Sequence, residues 1–286
     1  MALGYGMYDA DGHLYEAHDA FTRHLPAERK RDVYWMTDER GHQKLIFGRK
    51  LYDYIPNPTF DPVAVAGAFD RSKVEPIANH PEYRDRDARV RVLDEQEVEA
   101  TLMFPTLING LYELIGADIP FFYDVMWAYN RWLDDDWGFA YQDRIFGAPM
   151  LTMVDPDEAV KTVQWSLERD ARFFVLVPGP VITAGGPVSP ADPVFDPMWG
   201  LLNEAGAVVT AHGGNAYYSR YLADWGEGTE MEAFRQNPFR SIVSWSAVQD
   251  WFANLLAHGL FQRFPNLRMA SIETGSDWVF HLFDKL

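Results

Sequence analysis

Short apolar runs alternate with amphipathic segments along most of the chain, and polar or turn-forming residues follow each run. Such runs are typical of buried parallel strands, whereas apolar positions spaced three and four residues apart predict helices. In chain order, the predicted strands cover the apolar run 3–7 and then 98–104, 145–153, 172–177, 207–211 and 267–272. The predicted helices cover 119–140, 158–169, 196–205 and 246–263, and a last helix runs through Trp278.

Strands that alternate with helices predict an α/β fold with a parallel sheet and right-handed crossovers. A (β/α)8 barrel and an open doubly wound sheet both fit this order. The barrel is favoured because chemically capable residues follow several different strands, as they do in barrel active sites. In addition, no Gly-x-Gly-x-x-Gly or Gly-x-x-x-x-Gly-Lys-Ser/Thr loop follows a strand, which argues against nucleotide binding. We therefore predict a distorted (β/α)8 TIM barrel formed by a single domain, residues 1–286.

Long polar stretches interrupt this order at three places. Residues 15–97 follow the first strand and are expected to form an insertion or lid. Residues 178–195 are rich in glycine and proline and predict a loop over the site, and residues 213–240 form a third excursion. Long loops of this kind usually shape substrate binding. Because six strands are found where a barrel needs eight, the C-terminal strands are expected to be missing from this chain.

The segment from Asp9 to His13 carries two carboxylates and an imidazole beside the first predicted strand. Along a strand, residues i and i+2 share a face, so Asp11 and His13 would project together from its carboxyl end. A carboxylate oxygen and an imidazole nitrogen so placed can bind one divalent cation. A surface turn is the structural alternative. An EF-hand is excluded, because its required glycine and glutamate positions hold Leu14 and Ala20.

Two further polar residues end later strands. His212 follows one predicted strand, before two glycines, and Glu273 follows the next. Each could be a structural residue that forms hydrogen bonds or caps a helix, and each could also bind a metal. With Asp11 and His13, they bring four metal-capable side chains to the carboxyl ends of three predicted strands.

Five passages of the chain resemble the amidohydrolase-related superfamily, in its aminocarboxymuconate-semialdehyde decarboxylase-like branch. The passages are residues 9–13, 91–100, 207–214, 259–268 and 272–278. Their order and spacing span nearly the whole chain, and the segment from Phe264 to Leu267 is the most specific. The resemblance implies a distorted TIM barrel that binds one divalent metal ion, Zn²⁺ or Mn²⁺.

The resemblance also implies roles for individual residues. Asp11 and His13 stand where the family has its first-strand ligands, and His212 stands at a further metal-binding histidine. Glu273 replaces a histidine that the family often carries near the metal, and it could be a fourth ligand or a general base. We expect His212 and Glu273 to be catalytic residues. The family's acid/base aspartate on the eighth strand has no counterpart before Leu286.

Two reactions fit a metal held by these residues. One is hydrolysis of an ester, lactone, amide or activated C–C bond, and the other is non-oxidative decarboxylation of a small aromatic or unsaturated acid. The substrate carboxylate is expected to pair with Arg49, Arg220 or Arg240, and Tyr217 and Trp278 are expected to line the pocket. The alternative is a non-catalytic barrel that serves as a binding or scaffold protein.

Charge and composition restrict the partners. The chain has 42 acidic and 25 basic residues, and its net charge of −17 repels a nucleic-acid backbone. No apolar run is long enough to predict a membrane span, and the N-terminus has no secretory signal pattern. The absence of cysteine excludes disulfides and thiolate sites and fits a cytoplasmic protein. We expect a small-molecule substrate and, by analogy with the family, a homo-oligomer.

Overall fold

The computed structural model describes residues 5–39, 43–54, 80–213, 219–227, 238–243 and 246–286. The chain divides into two units, one formed by residues 1–147 with 231–236 and the other by residues 148–230 with 237–286. Within the described ranges, no helix has the length and apolar character needed to cross a membrane.

The first unit contains two small sheets. Its parallel sheet has the order β1-β5-β6 and consists of β1 (Met7–His13), β5 (Val98–Phe104) and β6 (Ile145–Gly147). Its antiparallel sheet consists of β2 (Val33–Thr37), β3 (Gln43–Phe47) and β4 (Lys50–Leu51). The helices described in this unit are α1 (Arg86–Glu95), α2 (Leu111–Ile115) and α3 (Ile119–Asp136).

Local sequence signals set the bounds of these helices. Asp85 caps α1 and Asp118 caps α3, and each carboxylate accepts a hydrogen bond from the backbone N–H three residues ahead. Helix α3 ends earlier than the predicted range 119–140. The reason is Gly138, which adopts a left-handed φ of 74° and terminates the helix there.

The second unit is built on a four-stranded parallel sheet with the order β12-β11-β8-β7. Its strands are β7 (Met150–Leu151), β8 (Phe173–Leu176), β11 (Val208–His212) and β12 (Arg268–Ile272). A hairpin of β9 (Val181–Thr183) and β10 (Gly186–Val188) separates β8 from β11 along the chain. The described helices are α4 (Pro156–Leu167), α5 (Asp196–Ala205), α6 (Ser219–Asp224), α7 (Pro238–Val243), α8 (Ser246–Ala257), α9 (Leu260–Arg263) and α10 (Asp277–Phe283).

The predicted alternation of strands and helices is confirmed, with differences at particular residues. Strand β1 begins at Met7, later than predicted, so Asp11 and His13 lie inside the strand. The predicted strand 145–153 is divided into β6 and β7, and Pro149 between them has no N–H to donate to a neighbouring strand.

Two later segments also differ from their predictions. The predicted helix 246–263 is divided into α8 and α9 by Gly259, whose left-handed φ of 69° interrupts the helix. Residues 178–195, predicted as a loop over the site, contain the short β9–β10 hairpin.

Large aromatic side chains dominate both cores. In the first unit, the ring of Phe21 lies 6.0 Å from the ring of Tyr129 and 5.3 Å from that of Phe47, and all three are buried. In the second unit, Trp199 and Trp251 are buried. Each unit therefore has a hydrophobic core that supports its own parallel sheet.

Between Asp9 and Gly12, strand β1 carries one extra residue relative to β5. Asp9 pairs with Thr101 and Gly12 pairs with Met103, so three steps along β1 match two steps along β5. A bulge of this kind reverses the alternation of side chains beyond it. Gly12 therefore lies on the face of Asp9, where a Cβ atom would be 2.4 Å from the Thr101 hydroxyl oxygen, and His13 lies on the opposite face.

Glu16 joins the segment after β1 to the loop after β5. Its side chain is completely buried, and its carboxylate accepts hydrogen bonds of 2.8 to 3.3 Å from the backbone N–H groups of Thr106, Leu107 and Ile108. The Thr106 hydroxyl donates to the carbonyl oxygen of Leu14 at 2.6 Å. Because a buried carboxylate is tolerated only when it is hydrogen-bonded, these bonds hold the two segments at a fixed spacing.

The ionisation of Glu16 links this contact to pH. Burial raises the pKa of Glu16 from 4.5 to about 7, although the backbone N–H groups act in the opposite direction. Between these two values the folded protein holds a proton that the unfolded chain releases. The stability contributed by this group is therefore complete below pH 4.5 and is lost as the pH rises through about 7.

We expect the free energy of unfolding to fall as the pH rises from about 5 to about 8, and we expect Glu16→Gln to remove most of that fall because an amide does not titrate. A pKa raised from 4.5 to about 7 corresponds to roughly 3 kcal/mol. Urea unfolding across this pH range measures the effect. Glu204→Gln, at an exposed position on α5, is the matched control. Equal pH slopes in the wild type and Glu16→Gln would contradict the prediction.

Candidate functional site

Asp11 and His13 lie together at the carboxyl end of β1. The Asp11 Oδ1 atom is 3.7 Å from the His13 Nε2 atom, and their side chains are 41% and 33% exposed. The Asp9 carboxylate does not lie beside the imidazole. It accepts hydrogen bonds from the Asp11 N–H at 3.0 Å and from the Thr101 hydroxyl at 2.9 Å. Asp9 therefore supports the bulge, and Asp11 is the carboxylate that lies beside the imidazole.

The backbone around His13 is fixed from two sides. Arg89 on α1 donates a hydrogen bond from Nη2 to the His13 carbonyl oxygen at 3.1 Å. On the other side, the N–H of Leu14 donates to the carbonyl oxygen of Phe104 at the end of β5 at 3.0 Å. The His13 ring also lies 6.1 Å from the Phe104 ring. These contacts preorganise one imidazole at the edge of the parallel sheet.

His212 is the last residue of β11 and is buried. Its Nδ1 atom is 2.8 Å from the carbonyl oxygen of Gly213. Since a carbonyl oxygen only accepts, Nδ1 carries the hydrogen, and the neutral ring then has its lone pair on Nε2. Histidines that bind a metal through one ring nitrogen commonly donate the other N–H to a backbone carbonyl or a carboxylate, so this tautomer suits a ligand.

Glu273 directly follows β12 and has a left-handed backbone φ of 55°, which is uncommon for a residue with a side chain. Gly213 makes room for it, because a Cβ atom at Gly213 would lie 2.3 Å from the Glu273 carbonyl oxygen. The Glu273 carboxylate is 58% exposed, and its Oε2 atom lies 3.8 Å from the His212 Nε2 atom. Strained backbone at the end of a sheet is often found at functional sites.

The predicted substrate-binding residues lie on several different elements. Arg49 is exposed in the turn between β3 and β4. Trp278 lies in the first turn of α10, where its ring stacks on Phe252 with the centroids 5.2 Å apart. Tyr217, and the side chains of Arg220 in α6 and Arg240 in α7, lie outside the described part of the chain. Within the individual units, the structure brings Asp11 next to His13 and His212 next to Glu273.

Two residues that bear on the site are not identified by the sequence patterns, Glu16 and Arg84. Glu16 is a charged residue that follows the buried residues Leu14 and Tyr15. An acidic residue within a buried segment signals a paired or functional carboxylate, and this signal could have identified it. Arg84 precedes the cap of α1 and has no comparable signal in the sequence.

In the first unit, Asp11 and His13 offer a carboxylate and an imidazole to a metal ion, and in the second unit His212 offers a second imidazole. Mixed oxygen and nitrogen donors suit Zn²⁺ or Mn²⁺. Glu273 adds a carboxylate beside His212 that can carry a proton. The chemistry available is therefore metal binding combined with general acid–base catalysis.

Comparisons with known proteins identify the family. The model of the family described as amidohydrolase matches residues 8–279. An amidohydrolase from Mycobacterium avium subsp. paratuberculosis K-10, known from a crystal structure, is 37% identical, with a TM-score of 0.87 over 100% of this chain and 76% of that chain. A search of curated proteins finds no match.

Two decarboxylases share the fold at much lower identity. A 2,6-dihydroxybenzoate decarboxylase from Rhizobium is 16% identical, with a TM-score of 0.56 over 98% of this chain and 69% of that chain. A 5-carboxyvanillate decarboxylase from Novosphingobium aromaticivorans, complexed with manganese, is 13% identical, with a TM-score of 0.52 over the same shares. Together with the family match, these structures establish the fold. The chain belongs to the amidohydrolase family, has its TIM-barrel fold and is a metal-dependent hydrolase or carboxy-lyase.

Proposed function

We propose that this enzyme catalyses the non-oxidative decarboxylation of a small aromatic or unsaturated carboxylic acid at one divalent metal ion. The observation that carries the proposal is the pair formed by His212 and Glu273, whose Nε2 and Oε2 atoms are 3.8 Å apart at the ends of adjacent strands. Decarboxylation needs a proton donor next to the group that binds the acid, and Glu273 supplies one. The two decarboxylases of the same fold act on aromatic acids, which supports this substrate class.

The side chains fit the metal that this reaction uses. Asp11, His13 and His212 would hold it, and the hydrogen bond from His212 Nδ1 to a backbone carbonyl presents Nε2 as a donor. A bound divalent cation would supply positive charge and Lewis acidity for an anionic substrate. We assign Glu273 the role of proton carrier and not that of a fourth ligand. Zn²⁺ and Mn²⁺ are the proposed ions.

Glu273 performs the proton step in this scheme. The protonated carboxyl group transfers its proton to the carbon that bears the substrate carboxylate. The C–C bond to that carboxylate then breaks, its electron pair stays on the carbon, and CO₂ leaves. Because the Glu273 side chain is 58% exposed, solvent can return the proton before the next turnover.

Hydrolysis is the second candidate, and the 37% identical amidohydrolase favours it. In that case Glu273 would act as a general base and remove a proton from the attacking water. The same residues could serve either reaction. The fold does not decide between them, because reaction type follows the site and not the fold.

Several finer assignments remain proposals. Arg49, Arg220 and Arg240 are proposed to pair with the substrate carboxylate, and Tyr217 and Trp278 to contact its ring. We also propose that the enzyme forms a homo-oligomer and acts in the cytoplasm.

We expect Asp11→Ala, His13→Ala and His212→Ala each to weaken metal binding by at least about tenfold, because each removes one donor of the set. Elemental analysis of the purified variants, at equal metal supply, measures the ions bound per chain. His258→Ala, which removes an exposed imidazole on another surface, is the control and should keep wild-type metal content. Unchanged stoichiometry in His212→Ala would remove that residue from the metal site.

We expect Glu273→Gln to lower kcat by about 100-fold or more while metal content stays at the wild-type level, because an amide cannot exchange the proton. Steady-state kinetics and elemental analysis on the same preparation separate the two effects. The exposed Glu204→Gln serves as the control for removal of one negative charge. A kcat for Glu273→Gln near that of the wild type would refute the proton-carrier role.

A substrate screen distinguishes the candidate functions. We expect the metal-loaded enzyme to release CO₂ from dihydroxybenzoates and related acids, because the proton donor lies beside the proposed metal ligands. Detection of CO₂ and of the decarboxylated ring by mass spectrometry would support decarboxylation. Turnover of lactones or amides alone would favour hydrolysis, and a metal-loaded protein without any turnover would support a non-catalytic binding role.

A further inference from the structure

Arg84 is a half-buried cation in the first unit. Its Nε atom is buried and has no hydrogen-bond partner, and no hydrogen bond or ion pair among the described residues involves its guanidinium group. Burial lowers the pKa of Arg84 below its ordinary value, and an arginine still stays protonated at neutral pH. A desolvated charge without a partner is costly, so this position calls for an anion.

The chain path places Arg84 near the carboxyl end of β1. Helix α1 leads back from that end to the start of β5, so its first residues lie where β1 ends. Two hydrogen bonds document this arrangement. The N–H of Tyr15 donates to the carbonyl oxygen of Tyr83 at 2.8 Å, and Arg89 donates to the carbonyl oxygen of His13 at 3.1 Å.

Glu16 attracts Arg84 but does not neutralise it through contact. The negative charge of Glu16 favours the protonated guanidinium. The Glu16 oxygens, however, are already occupied by the backbone N–H groups of residues 106–108. Because the Nε atom is buried, the four N–H groups of the two terminal nitrogens are the donors left for another acceptor.

We propose that Arg84 binds the carboxylate group of the substrate. A planar guanidinium donates two parallel hydrogen bonds to a carboxylate, which fixes the orientation of the acid as well as its charge. The assignment rests on the proposed function and adds a residue that holds the acid beside the Asp11–His13 end of β1. It makes Arg84 a specificity-determining residue that selects an acid over a neutral analogue.

The test compares an acid with its neutral counterpart. Isothermal titration of the manganese-loaded enzyme with 2,6-dihydroxybenzoate and with 2,6-dihydroxybenzamide gives both affinities. We expect Arg84→Gln to weaken binding of the acid by about 10- to 100-fold and to leave binding of the amide unchanged, because charge-assisted hydrogen bonds are lost only for the acid. Arg84→Lys should recover part of the loss, since it keeps the charge but not the paired donors.

Two controls make each outcome decisive. Arg91→Gln removes an exposed arginine from the neighbouring helix α1 and should leave both affinities unchanged. In the absence of ligand, Arg84→Gln should keep the wild-type metal content and a Tm at or above that of the wild type, because it removes an unpaired buried charge. Equal loss for acid and amide, or a lowered Tm, would assign Arg84 a structural role. Equal acid binding by wild type and Arg84→Gln overturns this assignment alone, whereas a metal-loaded wild type that binds no acid overturns the proposed function and the assignment together.

Discussion

The hydrogen bonds between the buried Glu16 carboxylate and three consecutive backbone N–H groups are the constraint on which the position of His13 depends. Glu16 lies three residues beyond His13. Its hydrogen bonds join the segment that follows β1 to the loop that follows β5. A loop that supplies three N–H groups to one buried carboxyl group cannot move without leaving polar groups unpaired, which costs on the order of 1–3 kcal/mol for each group. The imidazole of His13 therefore projects from an edge whose position is set by backbone chemistry and not by side-chain packing alone.

The second unit positions His212 and Glu273 by a different device. There, Gly213 and the left-handed backbone of Glu273 bring the ends of β11 and β12 close together, and the Gly213 N–H donates to Ile272 at 2.9 Å. In each unit the outcome is a carboxylate within 4 Å of an imidazole at a strand end. One pair is suited to metal binding, and the other combines a buried donor, His212, with an exposed acid that can exchange protons with solvent.

Much of this arrangement could be predicted from the sequence, because it follows from periodicity. Apolar runs that end in polar residues identified the parallel strands, and the strand ends led directly to Asp11, His13, His212 and Glu273. Contacts between one element and another could not be predicted from periodicity in this way. The bulge in β1 depends on its register against β5, and the environment of Glu16 depends on backbone groups some ninety residues away. No local pattern records either of these features.

The extra residue in β1 has a consequence for how this strand can vary. Side chains alternate strictly along a strand, so the inserted position decides which face every later residue occupies. A regular pleat formed by the same residues, without the bulge, would place the imidazole of His13 on the side where Asp9 meets Thr101. Changes that remove the bulge would therefore displace this imidazole even if every residue of the site were kept.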